Sequence, residues 1–467
     1  MSVPNRISPP PGVIYDDVEG VCRAEPLLAE APVCEQVCRA PSAGTPPVDR
    51  YASISHSQLI ADALGNSRQS VQRTWGNPLA HSFWTVLSGP VACSGPAEPV
   101  QPGDPVRSAT PQGAASVMNA QPLSGNLNEY DLSGGAEATA TVWSVFNSTV
   151  PAETGTFAFV RNGAAAGTLV TASNETSALH KFTTSATLED GSSIVAYTKA
   201  TGEEEPSSIV ARRISASGAV EGSDITILAS GVRATLPDAQ LVATASGFVA
   251  VYRNGDGRLM AAAFNNSGVA QGSPEDLGPA PSRYAVNRDE DGHWVLAEII
   301  SDNEIRLRTF DGVRATGVDE TISTSGFPAS PGLSVAMQEG GTMMVAWNKD
   351  GGGIMGAVFN GEGGISGSPF EIRSSGLANT MSLASDHRGN FVFAWEEAGA
   401  ILARVYNGTP SFTTPADFAT ISSGNSNSNV QAHVSDTGRL VLTWVQSSSS
   451  GGETLQDLMR REYQLNY

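Results

Sequence analysis

Gly341-Thr-Met-Met-Val-Ala-Trp347 is the stretch whose reading decides the fold. A turn glycine opens it, an apolar run follows, and an aromatic closes it, which is the pattern of a short buried strand leaving a tight turn. The same grammar recurs on both sides. Upstream stand Gly191-Ser-Ser-Ile-Val-Ala-Tyr197, Gly247-Phe-Val-Ala-Val-Tyr252 and Gly292-His-Trp-Val-Leu-Ala-Glu298. Downstream stand Gly389-Asn-Phe-Val-Phe-Ala-Trp395 and Gly438-Arg-Leu-Val-Leu-Thr-Trp444, and a looser copy begins at Gly135 and ends at Trp143.

Each of the six clear copies is followed by a second strand that a bulky aliphatic opens and an aromatic closes. These are Ile209 to Ile214 (the one copy without an aromatic end), Leu259 to Phe264, Ile305 to Phe310, Ile354 to Phe359, Ile401 to Tyr406 and Leu458 to Tyr463. Asp190-Gly191, Asp291-Gly292 and Arg388-Gly389 supply the turn before the apolar strand, where glycine accepts positive φ. A weaker fourth strand follows, as in Asp224 to Leu228 or Phe370 to Arg373. Four strands recurring at roughly 45 to 55 residues make a propeller blade. Seven copies predict an all-β, seven-bladed β-propeller.

The last copy is short. After Tyr463 only Gln464-Leu-Asn-Tyr467 remains, too little for a fourth strand. An open ring would expose strand edges. A strand borrowed from within residues 117–132 is expected to complete the seventh blade. The domain reading is therefore a propeller over 117–467, preceded by an extended N-terminal arm over 1–116.

The repeat resembles the degenerate propeller repeats of bacterial extracellular proteins and of some phage structural proteins, whose core reads D-G-x-x-V-V-A-W, then I-x-A-R-x-F. The resemblance runs from near residue 125 to the end. It implies a propeller and is silent on activity, since propellers host unrelated functions.

Composition agrees with many short strands: 49 glycines and only 16% charged residues suit tight turns better than long helices. A net charge of −20 repels phosphates and anionic lipid, so neither a nucleic-acid nor a membrane-surface role is expected. No apolar stretch is long enough to cross a membrane as a helix. The opening Met1-Ser-Val-Pro-Asn-Arg is polar and runs into prolines, without the apolar core of a Sec leader. An extracellular or virion location reached by another route is expected.

The arm is irregular and rich in proline, at Ser8 to Gly12, Ala40 to Pro47 and Pro96 to Pro111. A short helix is expected within Ser55 to Trp75 and a strand over His81 to Leu87. All four cysteines, Cys22, Cys34, Cys38 and Cys93, lie in the arm. Two disulfides, free thiols, and a zinc half-site at Cys34 and Cys38 remain open readings.

No catalytic motif is present: no nucleophile elbow, Walker loop, zinc-protease helix or EF-hand loop. The histidines His56, His81, His180, His293, His387 and His433 are scattered over the arm and different blades. Ser385-Asp-His-Arg-Gly389 and Ser435-Asp-Thr-Gly438 are faintly similar to the Asp-box turns of sialidases, without that family's full pattern. Arg212, Arg308, Arg404 and Arg460 recur at one column, which spreads them around a ring and points to repeated edge hydrogen bonding rather than one pocket. The carboxylates Glu203 to Glu205 and Asp289 to Asp291 occupy loops, where calcium binding and plain solvation are the two readings. Sequons at Asn147, Asn174, Asn265 and Asn407 carry no functional reading. Trp143, Trp347, Trp395 and Trp444 end strands at a fixed place in the repeat, which assigns them to core rather than to a sugar-stacking platform.

The sequence thus points to no enzyme and no cofactor. It suggests a structural or interaction protein, foremost a virion subunit docked to other subunits by the arm. The alternative is a secreted or surface-attached glycan-binding propeller.

Overall fold

In a computed structural model the chain forms seven antiparallel sheets in sequence order. The structure describes Val106 and residues 108–119, 130–145, 155–163, 166–173, 179–200, 206–233, 239–329, 332–361, 364–374, 380–386, 388–407, 412–413, 421, 426–450 and 453–467. The cysteines, His56, His81, His387, Asn147, Asn174, Glu203 to Glu205 and the expected arm elements lie outside the described residues.

Blade 1 holds Tyr130–Gly134, Ala138–Val145, Gly155–Asn162 and Thr168–Ser173; blade 2 holds Leu179–Thr187, Ser193–Ala200, Pro206–Ile214 and Val220–Arg233. Blade 3 holds Ala239–Thr244, Gly247–Arg253, Arg258–Asn265 and Glu275–Pro279; blade 4 holds Arg283–Arg288, His293–Ser301, Glu304–Asp311 and Arg314–Ser323. Blade 5 holds Leu333–Met337, Met343–Asn348, Ile354–Phe359 and Phe370–Arg373; blade 6 holds Met381–Ser385, Phe391–Glu397, Ala400–Tyr406 and Phe412–Thr413. The innermost strands touch in the cyclic order of blades 1 to 7 and back to 1, which closes the ring.

Blade 7 consists of Asn427–Val434, Arg439–Ser450 and Glu453–Asn466, completed by Ser108–Pro111 and Ser116–Val117. Ser108 pairs with Asn466 and Val117 with Met459. The completing strands thus lie mostly upstream of the expected 117–132 segment, whose end contributes instead to the innermost strand of blade 1. The reason is spatial. The outer edge of blade 7 and the inner edge of blade 1 are a sheet's width apart, and residues between the two must carry the chain across.

Six of the repeat's turn glycines have positive φ, at Gly191, Gly247, Gly292, Gly341, Gly389 and Gly438. Gly292 needs its missing side chain for a second reason: a Cβ there would sit 2.4 Å from the Ala245 nitrogen of the neighbouring blade. The strand-ending tryptophans are buried in core, with Trp143 and Trp347 at 2% exposure and Trp444 at 1%. In blade 4 the place of that aromatic is taken by Glu298, which pairs with Arg308 at 2.8 Å.

The innermost strands present backbone groups toward the neighbouring blade with no ladder to satisfy them. A polar side chain one place after the tryptophan-facing position does so instead. Asp131 accepts from the Ser185 N–H (2.7 Å), Thr184 from Leu241 (3.2 Å) and Gln240 from Val286 (3.0 Å). Ser334 accepts from Leu383 (2.9 Å) and Ser382 from Ala432 (3.0 Å). In blade 4 the column holds Ala285, and Asn287, two places on, accepts from Met337 at 3.2 Å. This polar belt pins neighbouring blades in register. Ser334→Ala leaves the N–H of buried Leu383 unpaired, at an expected cost of about 1–3 kcal/mol. Denaturant unfolding should show a lower midpoint at unchanged slope, and an unchanged midpoint would show that the belt bears no load.

Candidate functional site

The hairpins joining first to second strands gather at one end of the central channel. Their tips are short because buried polar groups at the first turn position bond the turn from within. Asp289, 3% exposed, accepts the His293 N–H at 2.9 Å and faces the His293 ring nitrogen Nδ1 at 3.1 Å. Asp386, fully buried, accepts from the Arg388 and Asn390 N–H groups, both at 2.9 Å. Ser435 does the same for Arg439 at 3.2 Å. The two segments that resemble Asp-box turns are therefore hairpin locks.

Beyond these locks the mouth is acidic. Glu189 of blade 2, Asp289, Glu290 and Asp291 of blade 4, Glu339 of blade 5 and Asp436 of blade 7 surround the side chain of Arg288 or one another. Burial pulls the Arg288 guanidinium below its ordinary pKa against the opposing pull of those carboxylates. Burial pushes Glu290 up to about 7, reinforced by its hydrogen bond with Asp436 and by the charges of Asp436, Glu339 and Asp291. Arg388 reaches the same place, donating to the Asp436 carbonyl at 3.3 Å and lying 4.4 Å over the Tyr467 ring.

Asp289, Asp291 and His293 bring one ligand-type atom each within 4.8 Å. Asp289 is already committed to the hairpin and to the imidazole, so the group accounts for itself as turn chemistry, and we assign no metal to it.

The described histidines do not converge. His180 is buried at the opposite end of blade 2, with Nδ1 3.1 Å from the Thr156 hydroxyl. His433 faces the Gly135 carbonyl at 3.2 Å across the junction of blades 7 and 1. The amide oxygen of the sequon residue Asn265 accepts from Ser267 and Val269 and is used by its own turn.

The arginine column needs one correction. Arg212 faces Val195, Arg308 faces Leu296 and Arg404 faces Phe393; the matching place opposite Leu442 belongs to Arg461, not to Arg460. Side chains alternate faces along a strand, so a one-residue shift reverses the environment. Arg404 donates to the Ile372 carbonyl (2.9 Å) and Arg461 to the Ile421 carbonyl (3.0 Å), each reaching back beyond its own blade, while Arg212 and Arg308 pair with Asp224 and Glu298 within theirs. Arg460 points into the opposite face and bonds Glu462 at 2.9 Å and the Thr139 hydroxyl of blade 1 at 2.9 Å.

A second feature lies at the rim. A cavity of ≈ 400 Å³ between blades 5 and 6 is lined by Glu371, Ile372, Arg373, Ser374 and Arg404. Arg373 is paired with Glu397, whose other neighbour is the Trp395 Nε1–H at 3.3 Å.

Sequence reading located the hairpins and their carboxylates but missed their convergence. The belt residues recur about once per blade and could have been found as a polar column one place from the aromatic's partner. The bridge of Glu462 to Arg161 of blade 1 has no local signal.

Among the described residues no helix is long and apolar enough to cross a membrane. No family model matches the chain, and no curated protein matches it. Similar solved structures include the WD40 domain of Toxoplasma gondii coronin, at 11% identity and TM-score 0.47 over 78% of this chain and 88% of that one. The polysaccharide lyase Uly1 is similar at 9% identity and TM-score 0.45 over 77% of this chain and 100% of that one. The six-bladed fucose-recognising lectin of Aleuria aurantia is similar at 14% identity and TM-score 0.40, over 60% and 91%. By its own seven sheets, closed into a ring, the chain is a seven-bladed β-propeller.

Proposed function

We propose that the protein is a non-enzymatic interaction disc, displayed on a phage virion or a similar extracellular assembly and docked to other subunits through the arm over residues 1–116. The observation that carries this reading is how the chain enters the disc. Ser108–Pro111 forms the outermost strand of blade 7, paired with the last strand of the chain. The end of the segment preceding the disc is thereby held in the rim by a hydrogen-bonded ladder. Asp289 and Asp386 are committed to their own hairpins, which fits a binding rather than a catalytic role for them.

Sedimentation of material from the native source tests the reading, with the protein followed by peptide mass spectrometry. It is expected to travel with megadalton particles. Recovery at the 48.4 kDa of the free chain would overturn the assembly role.

The rim cavity favours a second reading, a secreted or surface-attached glycan-binding propeller. Arg373, Arg404 and Glu371 offer donors and an acceptor of the kind that bond sugar hydroxyls. A glycan array would then show saturable binding by monomeric protein that Arg404→Met weakens at least about tenfold, a loss of roughly 1.4 kcal/mol.

A further inference from the structure

Arg308 of blade 4 and Arg404 of blade 6 hold the same place in their sheets, opposite Leu296 and Phe393 of the neighbouring strand. Two residues on, and so on the same face, blade 4 carries Glu298 where blade 6 carries Trp395. Glu298 pairs with Arg308 at 2.8 Å. Trp395 offers no charge, and the Arg404 guanidinium lies 5.7 Å over its ring instead. Blade 6 thus has an indole in place of the carboxylate and keeps the arginine.

The consequence falls in the rim cavity that Arg404 lines together with Glu371, Ile372, Arg373 and Ser374. At ≈ 400 Å³ it lies within the range of small-ligand pockets, roughly 300–1,000 Å³. Its other charges cancel in pairs. Glu371 is paired with Lys349 at 2.8 Å, and Arg373 with Glu397, which also accepts from the Trp395 Nε1–H. Among the described residues no carboxylate pairs with Arg404. One of its guanidinium nitrogens donates to the Ile372 carbonyl at 2.9 Å, and a guanidinium has further N–H groups to give. The indole and that bond hold the plane of a group that binds oxyanions through paired N–H donors.

We infer that the rim cavity takes an anionic sugar, one bearing a carboxylate or a sulfate, with its acidic group seated on Arg404; this rests on the glycan-binding reading of the same cavity. The net charge of −20 repels an anion at long range. At physiological salt, charges beyond about 8 Å are largely screened, so the ligand meets the charges of the cavity itself.

The test is a glycan array probed with the full chain, carrying neutral oligosaccharides beside matched uronate-bearing and sulfated ones, followed by calorimetry on the best binders. The acidic members are expected to bind at least about tenfold more tightly than their neutral counterparts, and Arg404→Met should remove that preference. The uronate and sulfate arms decide which acid the cavity takes. Glu371→Gln removes a negative charge from the lining and should tighten acidic binding by about threefold while leaving neutral binding unchanged, a gain that misfolding cannot produce. Equal binding of neutral and acidic members, or a preference that survives Arg404→Met, would overturn the inference and leave the glycan-binding reading standing. Absence of binding to every member would overturn both.

Discussion

A chain begun at Met118 is expected to lose the closed ring, while one begun at Pro102 keeps it. The first truncation removes Ser108–Pro111 and Ser116–Val117, and with them the ladder from Ser108 with Asn466 to Val117 with Met459. It also removes Val106 and Ala109, 2% and 0% exposed, from a core shared with Tyr463 and Leu465. Burying one valine is worth about 1.5–3 kcal/mol and each net backbone hydrogen bond about 0.5–1.5 kcal/mol. The sum is on the order of 5 kcal/mol, comparable with the whole stability of many domains. The last strand, Glu453–Asn466, is left as a long open edge that invites pairing with other chains. Thermal unfolding should drop by about 5–10 °C, with aggregation, for the Met118 chain and barely move for the Pro102 chain. Equal midpoints would mean that the N-terminal strands do not hold the ring. The boundary matters for the arm as well. Compact packing divides the chain between Gln101 and Pro102. A deletion of residues 1–116 would therefore damage the disc, and loss of assembly in that variant would say nothing about docking.

Glu462→Ala is the point substitution expected to cost most. Glu462 faces three guanidiniums at the junction of blades 7 and 1: it accepts from Arg460 at 2.9 Å and from Arg161 of blade 1, and forms an ion pair with Arg439 at 3.2 Å. Arg460 is only 3% exposed. Its burial lowers its pKa to about 10 even with the carboxylate present. Burial resists ionisation of Glu462 too, but the three guanidiniums outweigh it and hold its carboxyl below the ordinary range. Removing the carboxylate takes away the charge that bridges the three guanidiniums, and breaking a buried pair from one side costs about 3–5 kcal/mol. Equilibrium denaturation measures this directly, and a loss under about 1 kcal/mol would show that water reaches the cluster and compensates. The pH dependence has a definite sign. A carboxyl with a lowered folded pKa contributes stability above its ordinary 4.5 and loses it as pH falls through the folded value. Wild type should therefore lose stability toward acid pH more steeply than Glu462→Gln.

These two regions divide sharply in how much of them could be read beforehand. The sequence by itself determined the strands, the hairpins and the number of blades. A strand's side chains alternate with period two, its turn glycine must accept positive φ, and its closing aromatic must be buried, so Gly341 to Trp347 carries its own structure within seven residues. Only the tertiary structure decided which residues meet around the ring. Ser108 with Asn466 and Arg161 with Glu462 are joined by the closure of seven blades. Nothing in the chain near either partner is periodic with respect to the other. The slip from Arg461 to Arg460 is different in kind: Arg212, Arg308 and Arg404 each stand three places after the aliphatic that opens the strand, the same step from Leu458 reaches Arg461, and pairing opposite Leu442 agrees. Local geometry is written in local sequence because backbone sterics act over a few residues. Closure and the contacts between distant blades depend on the position of the whole ring.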